Sequence, residues 1–265
     1  MKVAACSAIY KDFSLEQALD GIADSGYRFV EVAAMPGWCE HISPYQPETA
    51  SALQCALTRT GLTLVAISAH CDFLEAEPRR KLMDTIALAQ DLGCGLVITS
   101  PGAGGDERRD DRILALGELD ACCARHRVGL ALEPHGEYGS GALLCKLIEE
   151  AGTRHVSVNY DTANVIFFRG LDPLVDIRAA AERLSHVHFK DKRGPKGVWD
   201  FPPLGQGELD FGKIMNCLRV SGYDGCISVE IEFTPDAKHT CAELNAAVKS
   251  SLDHLNVLID GRGLG

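Results

Sequence analysis

No stretch of this 265-residue chain approaches the ~18 consecutive apolar residues that a membrane span requires, so no membrane partner is expected. Positive charge is in short supply as well: 26 Lys and Arg face 37 Asp and Glu, a formal net charge of −11. A surface this acidic repels a phosphate backbone, which argues against nucleic acid as a partner. There is no Cys-x-x-Cys pair, and the 11 cysteines are odd in number, so a disulfide scaffold lacks its pattern. Unbridged thiols favour a reducing compartment, and the cytoplasm is the expected location. Cys55, Cys122, Cys145, Cys217 and Cys241 fall in helical stretches, where a free thiol packs as a small hydrophobe. The opening MKVAACSAIYKDFS lacks the build of a secretory signal and reads as a first strand and loop. Linker-like and low-complexity tracts are missing too, so residues 1–265 read as one domain.

What the chain has is rhythm. Eight apolar, β-branched runs recur about 33 residues apart: Val3–Ser7, Phe29–Ala33, Leu64–Ala69, Leu96–Thr99, Val128–Glu133, Val156–Tyr160, His186–Lys190 and Ile227–Ile231. The segments between them carry apolar residues at helical spacing, and Ser14 with Gln17 three residues later has the form of a capping box. Gly26, Gly61, Gly93, Gly152 and Gly222 each stand between a helical stretch and a run, where a left-handed cap is wanted. Eight such units predict a single (β/α)8 barrel with parallel strands and outer helices. The competing open, doubly wound sheet would place a glycine-rich turn after the first run. The residues there are Ala-Ile-Tyr-Lys-Asp-Phe, without a glycine.

Strand residues two apart share a face, and in the late runs one face is ionisable. Val128, Leu130 and Leu132 alternate with Gly129, Ala131 and Glu133; His155, Ser157, Asn159 and Asp161 alternate with valines and Tyr160. His186, His188 and Lys190 oppose Val187 and Phe189, and Ser228, Glu230 and Glu232 oppose Ile227, Val229 and Ile231. Crossover helices must cover the apolar face, so the polar one points into the barrel, towards the strand ends where barrel enzymes carry out their chemistry. Desolvating several carboxylates and imidazoles together calls for a compensating charge. Glu133, Asp161, His188 and Glu230, from four adjacent strands, make an oxygen and nitrogen set suited to Mn²⁺, Mg²⁺, Co²⁺ or Zn²⁺. Taken singly each has a plainer reading: Asp161 as the cap of the turn Asp-Thr-Ala-Asn, Glu133 as the start of a loop, and His186 as a core histidine bonded to a neighbour.

The segments LALEPHG (130–136), VNYDTAN (158–164), HVHFKDK (186–192), PLGQGELDF (203–211) and GYDGCISVEIE (222–232) resemble, in order, the motifs of the xylose-isomerase-like barrel superfamily of sugar isomerases and epimerases. SAH (68–70) adds a match in the first half. The resemblance implies one divalent metal, Mn²⁺ foremost, on Glu133, Asp161, His188 and Glu230, with Glu133 and Glu230 also moving a proton. It implies a metal-dependent isomerase or epimerase of a sugar, keto-sugar or cyclitol, working through an enediolate. A lyase using the same chemistry, a dehydratase or a 3-oxo-glycoside-cleaving enzyme, is the alternative. A homo-oligomer is compatible with it. An abasic-site endonuclease would need more histidines and a basic face. A non-catalytic sugar-binding role would leave the metal set unexplained.

His70, His135, Asn164, His186, Lys190 and Trp199 are the candidate substrate contacts, and Trp38 lies in a loop at the same end. Lys190 could neutralise a substrate oxyanion, or simply pack its stem and leave its ammonium in solvent. Glu232 is expected one layer further out than Glu230. Two positions depart from the ketose 3-epimerase pattern. Asn164 stands where those enzymes have His, and Gly194 where they have Arg, with Arg193 one residue earlier.

Overall fold

The computed structural model describes residues 1–259. Its strands are β1 (Lys2–Cys6), β2 (Phe29–Met35), β3 (Cys39–Glu40), β4 (Thr63–Ser68), β5 (Leu96–Thr99), β6 (Gly129–Leu132), β7 (Val156–Asp161), β8 (Leu184–Lys190) and β9 (Cys226–Glu230). The helices are α1 (Leu15–Asp24), α2 (Pro47–Thr60), α3 (Ala76–Asp91), α4 (Arg109–His126), α5 (Gly141–Ala151), α6 (Pro173–Ala180), α7 (Phe211–Val220) and α8 (Cys241–Ile259). The sheet order is β1-β9-β8-β7-β6-β5-β4-β2, and a β1–β2 pairing closes the ring. Every neighbour in that ring is parallel, so the chain forms a single (β/α)8 TIM barrel. The two-residue β3 folds back antiparallel on the end of β2, an addition the apolar rhythm does not predict.

Local signals account for the element ends. Ser14 Oγ accepts from the Gln17 amide and Gln17 Oε1 accepts from the Ser14 amide, so α1 opens on a complete capping box. The five glycines expected as caps all have positive φ. Ser7 lies outside β1, in a short 3-10 turn that runs from Ser7 to Tyr10.

The outward strand residues Val30, Ile67, Leu130, Val158, Val187 and Ile227 are completely buried in the main core between sheet and helices. Each contributes ~1.5–3 kcal/mol by the usual transfer scale. Their inward neighbours Ala66, Ile98 and Ala131 form a separate small cluster in the lumen. All eleven cysteines are free thiols. Cys55 departs from its expected role: it is exposed, on the side of α2 away from the buried Leu53 and Ala56. No described helix is long and apolar enough to cross a membrane.

Candidate active site

Glu133 follows the end of β6, and its backbone amide still bonds to the Thr99 carbonyl of β5, so its side chain keeps the inward parity of the strand. Asp161 ends β7, His188 and Lys190 stand on β8, and Glu230 ends β9. The register sets Asp161 opposite His188 and Lys190 opposite Glu230. One donor atom from each of Glu133, Asp161, His188 and Glu230 lies within 4.8 Å of all the others, and all four residues are buried. His188 Nδ1 is 2.9 Å from Glu133 Oε2, 3.3 Å from Glu230 Oε2 and 3.9 Å from Asp161 Oδ2. His188 Nδ1, Asp161 Oδ2 and Glu230 Oε2 are buried without a properly directed hydrogen bond. Buried polar atoms without partners are costly, and here three of them converge. Oxygen and imidazole donors so arranged fit a divalent cation.

Each member is held from behind. Asp161 Oδ1 accepts from the amides of Ala163 and Asn164, both at 2.8 Å, which leaves Oδ2 facing the cluster. Asp161 therefore does cap its turn, with one oxygen only. Glu133 receives Asn159 Nδ2 on Oε2 at 2.7 Å and Asn164 Nδ2 on Oε1 at 2.8 Å. His188 Nε2 lies 3.0 Å from both oxygens of Glu31, a completely buried carboxylate that reaches across the lumen from β2. His186 Nε2 meets the same carboxylate at 3.0 Å. A proton on Nε2 of His188 satisfies Glu31 and leaves the Nδ1 lone pair turned to the three carboxylates.

The electrostatics are lopsided towards negative charge. Burial pushes the Asp161 carboxyl well up, and its neighbours Glu133 and Glu230 add to the push against Lys190. For Glu133, burial works upward but His188 and His70 outweigh it and hold the carboxyl at about 2. Burial opposes the charged form of His188, yet Glu31, Glu133 and Glu230 draw its pKa well above the ordinary value.

The other candidate residues separate into three places. His70 and His135 flank Glu133 on the open side, each 3.6 Å from one of its oxygens and partly exposed, their rings 5.0 Å apart. Lys190 is almost fully buried, so its ammonium is not in solvent. Its Nζ lies 2.5 Å from Glu232, 3.3 Å from Glu230 and 4.6 Å from the centre of the Phe201 ring. Trp199 stands beyond Glu232, apart from the cluster, with its indole N–H donating to the Phe233 carbonyl at 3.1 Å. Asn164 is buried with its amide donating to Glu133, and His186 is buried with Nε2 against Glu31.

Sequence reasoning missed Glu31 and passed over Asn159. The signal for Glu31 is an acid set between Val30 and Val32, on the parity that points inward. Asn159 shares the inward parity of Asp161 and differs only in carrying an amide.

The loop after β8 is fastened by Asp191, which accepts from the amides of Lys192, Gly205, Gly207 and Leu209 at 2.8–3.2 Å. A Cβ at Gly207 would fall 2.2 Å from Asp191 Oδ1, so only glycine lets that loop close. The closed loop lays Phe201 over Lys190 and keeps Arg193 on its own Asp200 and Gln206, away from the cluster.

A family model described as xylose isomerase-like TIM barrel matches residues 19–257. An inosose dehydratase of Lacticaseibacillus casei is 30% identical, over 92% of this chain and 90% of its own length. An L-ribulose 3-epimerase of Methylomonas sp. (strain DH-1) is 24% identical, covering 81% and 77%. The crystal structure of a xylose isomerase domain protein from Planctomyces limnophilus superposes with a TM-score of 0.79 at 21% identity, covering 97% and 96%, a likeness that speaks for the fold alone. With that family model spanning most of its length, the chain belongs to the xylose isomerase-like TIM barrel family.

Proposed function

We propose that this barrel is a divalent-metal-dependent isomerase or epimerase that moves the proton beside a carbonyl in a sugar, keto-sugar or cyclitol. The observation that carries the reading is the convergence of unpartnered donor atoms from Asp161, His188 and Glu230 beside Glu133. Those four residues would hold the ion, with Mn²⁺ the first choice and Mg²⁺, Co²⁺ or Zn²⁺ as substitutes. An ion there would supply Lewis-acid polarisation of a carbonyl and charge stabilisation for the carbanion-like centre left when the proton departs. Glu133, just past β6, and Glu230, at the end of β9, are the carboxylates that take the proton and return it. Asn159 and Asn164 fix the plane of the Glu133 carboxylate. His70 and His135, on the exposed side of Glu133, are placed to meet substrate hydroxyls. Lys190 supplies a fixed positive charge beside Glu230.

A dehydratase is the second reading, supported by the inosose dehydratase relative and by Lys190. The same proton abstraction would then be followed by loss of a hydroxyl as water, with the Lys190 ammonium beside Glu230 stabilising the charge on the leaving oxygen. Turnover of a panel of keto-sugars and inososes with Mn²⁺ in D₂O separates the two. A product of unchanged mass apart from solvent deuterium beside the carbonyl supports the isomerase, and loss of one water supports the dehydratase. A product of unchanged mass without solvent deuterium would overturn both.

A further inference from the structure

Next to the cluster, on the far side of Glu232, lies a cavity of about 290 Å³ whose walls include both tryptophans of the chain. It sits between the turn after β1 and the segment after β9, and these two strands are paired, so it opens at the end of the barrel that carries the cluster. We propose that it is a second ring subsite, and that the natural substrate is therefore a glycoside, a keto-sugar ring carrying another sugar ring. The proposal rests on the reading above for the identity of the reacting ring.

The walls decide the chemistry of the occupant. Phe13, Trp38, Trp199 and Phe233 give aromatic surface, and Trp38 remains 44% exposed, an indole that water solvates poorly. Lys11, Asp12, Glu232, Thr234 and His239 break the apolar lining, and among them the Nε2 of His239 is buried with no hydrogen-bond partner. The His239 ring is fixed by stacking on Phe233, with centroids 3.9 Å apart, so this nitrogen has a set direction. The charges nearby balance in sign: Glu232 pairs with Lys190, and of the adjacent Lys11 and Asp12 in the lining, the Lys11 ammonium rests 3.9 Å from the centre of the Trp38 ring. A neutral ligand with an apolar face and hydroxyl edges suits such a lining, which is the chemistry of a pyranose. The volume is at the lower end of small-ligand pockets and takes one ring rather than two.

Position links this cavity to the reacting end. Glu232 lies 2.5 Å from Lys190, and Lys190 lies 3.3 Å from Glu230. A ring held between Glu133 and Glu230 would thus direct a substituent across the Lys190–Glu232 pair and into the cavity.

Because both tryptophans line the cavity, intrinsic fluorescence reports on it without any turnover. The whole protein is titrated with cellobiose, maltose and trehalose, and with glucose as the one-ring control. At least one disaccharide should shift the emission and bind about tenfold tighter than glucose, and Trp38→Ala and His239→Ala should each weaken it about tenfold. Both side chains are at or near the surface, so the variants fold, which circular dichroism checks. Equal binding of one-ring and two-ring sugars overturns the subsite, as does disaccharide binding untouched by both variants. Disaccharide binding together with no proton exchange on the keto-sugar and inosose panel in D₂O upholds the subsite and sinks the reaction assigned above. Proton exchange on single-ring substrates with no disaccharide preference does the reverse.

Discussion

Along β1 to β5 the residues that point into the barrel are mostly small or apolar, among them Cys6, Ala33, Ala66 and Ile98, whereas those of β6 to β9 include Asn159, Asp161, His188, Lys190 and Glu230, with Glu133 just beyond. The two halves share one architecture, with parallel strands and covering helices, and differ in what fills the lumen. The apolar half packs as a wall. The polar half holds groups whose burial is tolerable only if something charged joins them. Glu31 is the exception that ties the halves together, since from β2 it bonds to both histidines of β8. If the comparison is sound, substitutions in the polar half should remove metal and activity, and among the strand residues of the apolar half only Glu31 should lower metal affinity.

The largest effects belong to the cluster itself. His188→Ala and Glu133→Gln should each lower metal occupancy and reduce turnover by at least about 10²–10⁴-fold, with the barrel still folded by circular dichroism. Elemental analysis of protein purified without chelators supplies the reference. Exhaustive metal removal should abolish turnover, and Mn²⁺, Co²⁺ or Mg²⁺ should restore it better than Ca²⁺, whose size suits more oxygen ligands. Full activity after verified removal of metal would end the assignment.

How far these features were legible depends on whether the determining contact is local. Strand positions and helix ends are local matters. The runs at Phe29, Leu96 and Val156 begin where strands begin, and Ser14 with Gln17 marks the start of α1. Alternation within a strand placed Glu133, Asp161, His188 and Glu230 on one face, and barrel closure brings those faces together. Glu31 obeys the same alternation, but as one acid among Val30, Val32, Ala33 and Ala34 it reads as part of an apolar run. Its partners lie 155 and 157 residues away, and only closure of the ring between β1 and β2 brings them opposite. The partner of Asn164 is hidden for a related reason: Glu133, 31 residues earlier, accepts from its amide, a contact that its place after Asp161 does not announce. Of the two readings of Lys190, the snorkelling one does not hold, because Glu232 and the loop carrying Phe201 enclose its ammonium.

Glu31→Gln tests the link between the halves and should have an intermediate effect. The amide keeps the size of the carboxylate but loses its charge and offers a donor where two imidazole N–H groups need acceptors. His188 is then free to take the other tautomer, with its proton on Nδ1 among the carboxylates. Metal affinity should fall about 10–100-fold, the usual cost of losing a partner behind a ligating histidine. Ser68→Ala, a buried polar change elsewhere in the same half, should leave metal affinity unchanged when measured by the same titration. Equal losses in the two variants would mean that Glu31 acts on general packing and that the halves are less distinct than their side chains suggest.

The smallest effect is expected at Glu232, which stands at the outer edge of the polar half. It follows Glu230 by two residues, but its carboxylate pairs with Lys190 rather than joining the four-residue cluster. Burial pushes its carboxyl up, Lys190 opposes that and Glu230 adds to it, so a neutral side chain at this position is less foreign than at Glu230. Glu232→Gln keeps an oxygen for the Lys190 ammonium and should cost less than about tenfold in kcat/KM, or ~1.4 kcal/mol of transition-state stabilisation. Glu230→Gln, measured beside it, removes both a charge from the cluster and one of the two carboxylates assigned to the proton, so its loss should be far larger. A Glu232→Gln loss as large as that of Glu230→Gln, with metal retained, would move the reacting carboxylate outward. The chemistry would then lie between the cluster and the tryptophan-lined cavity.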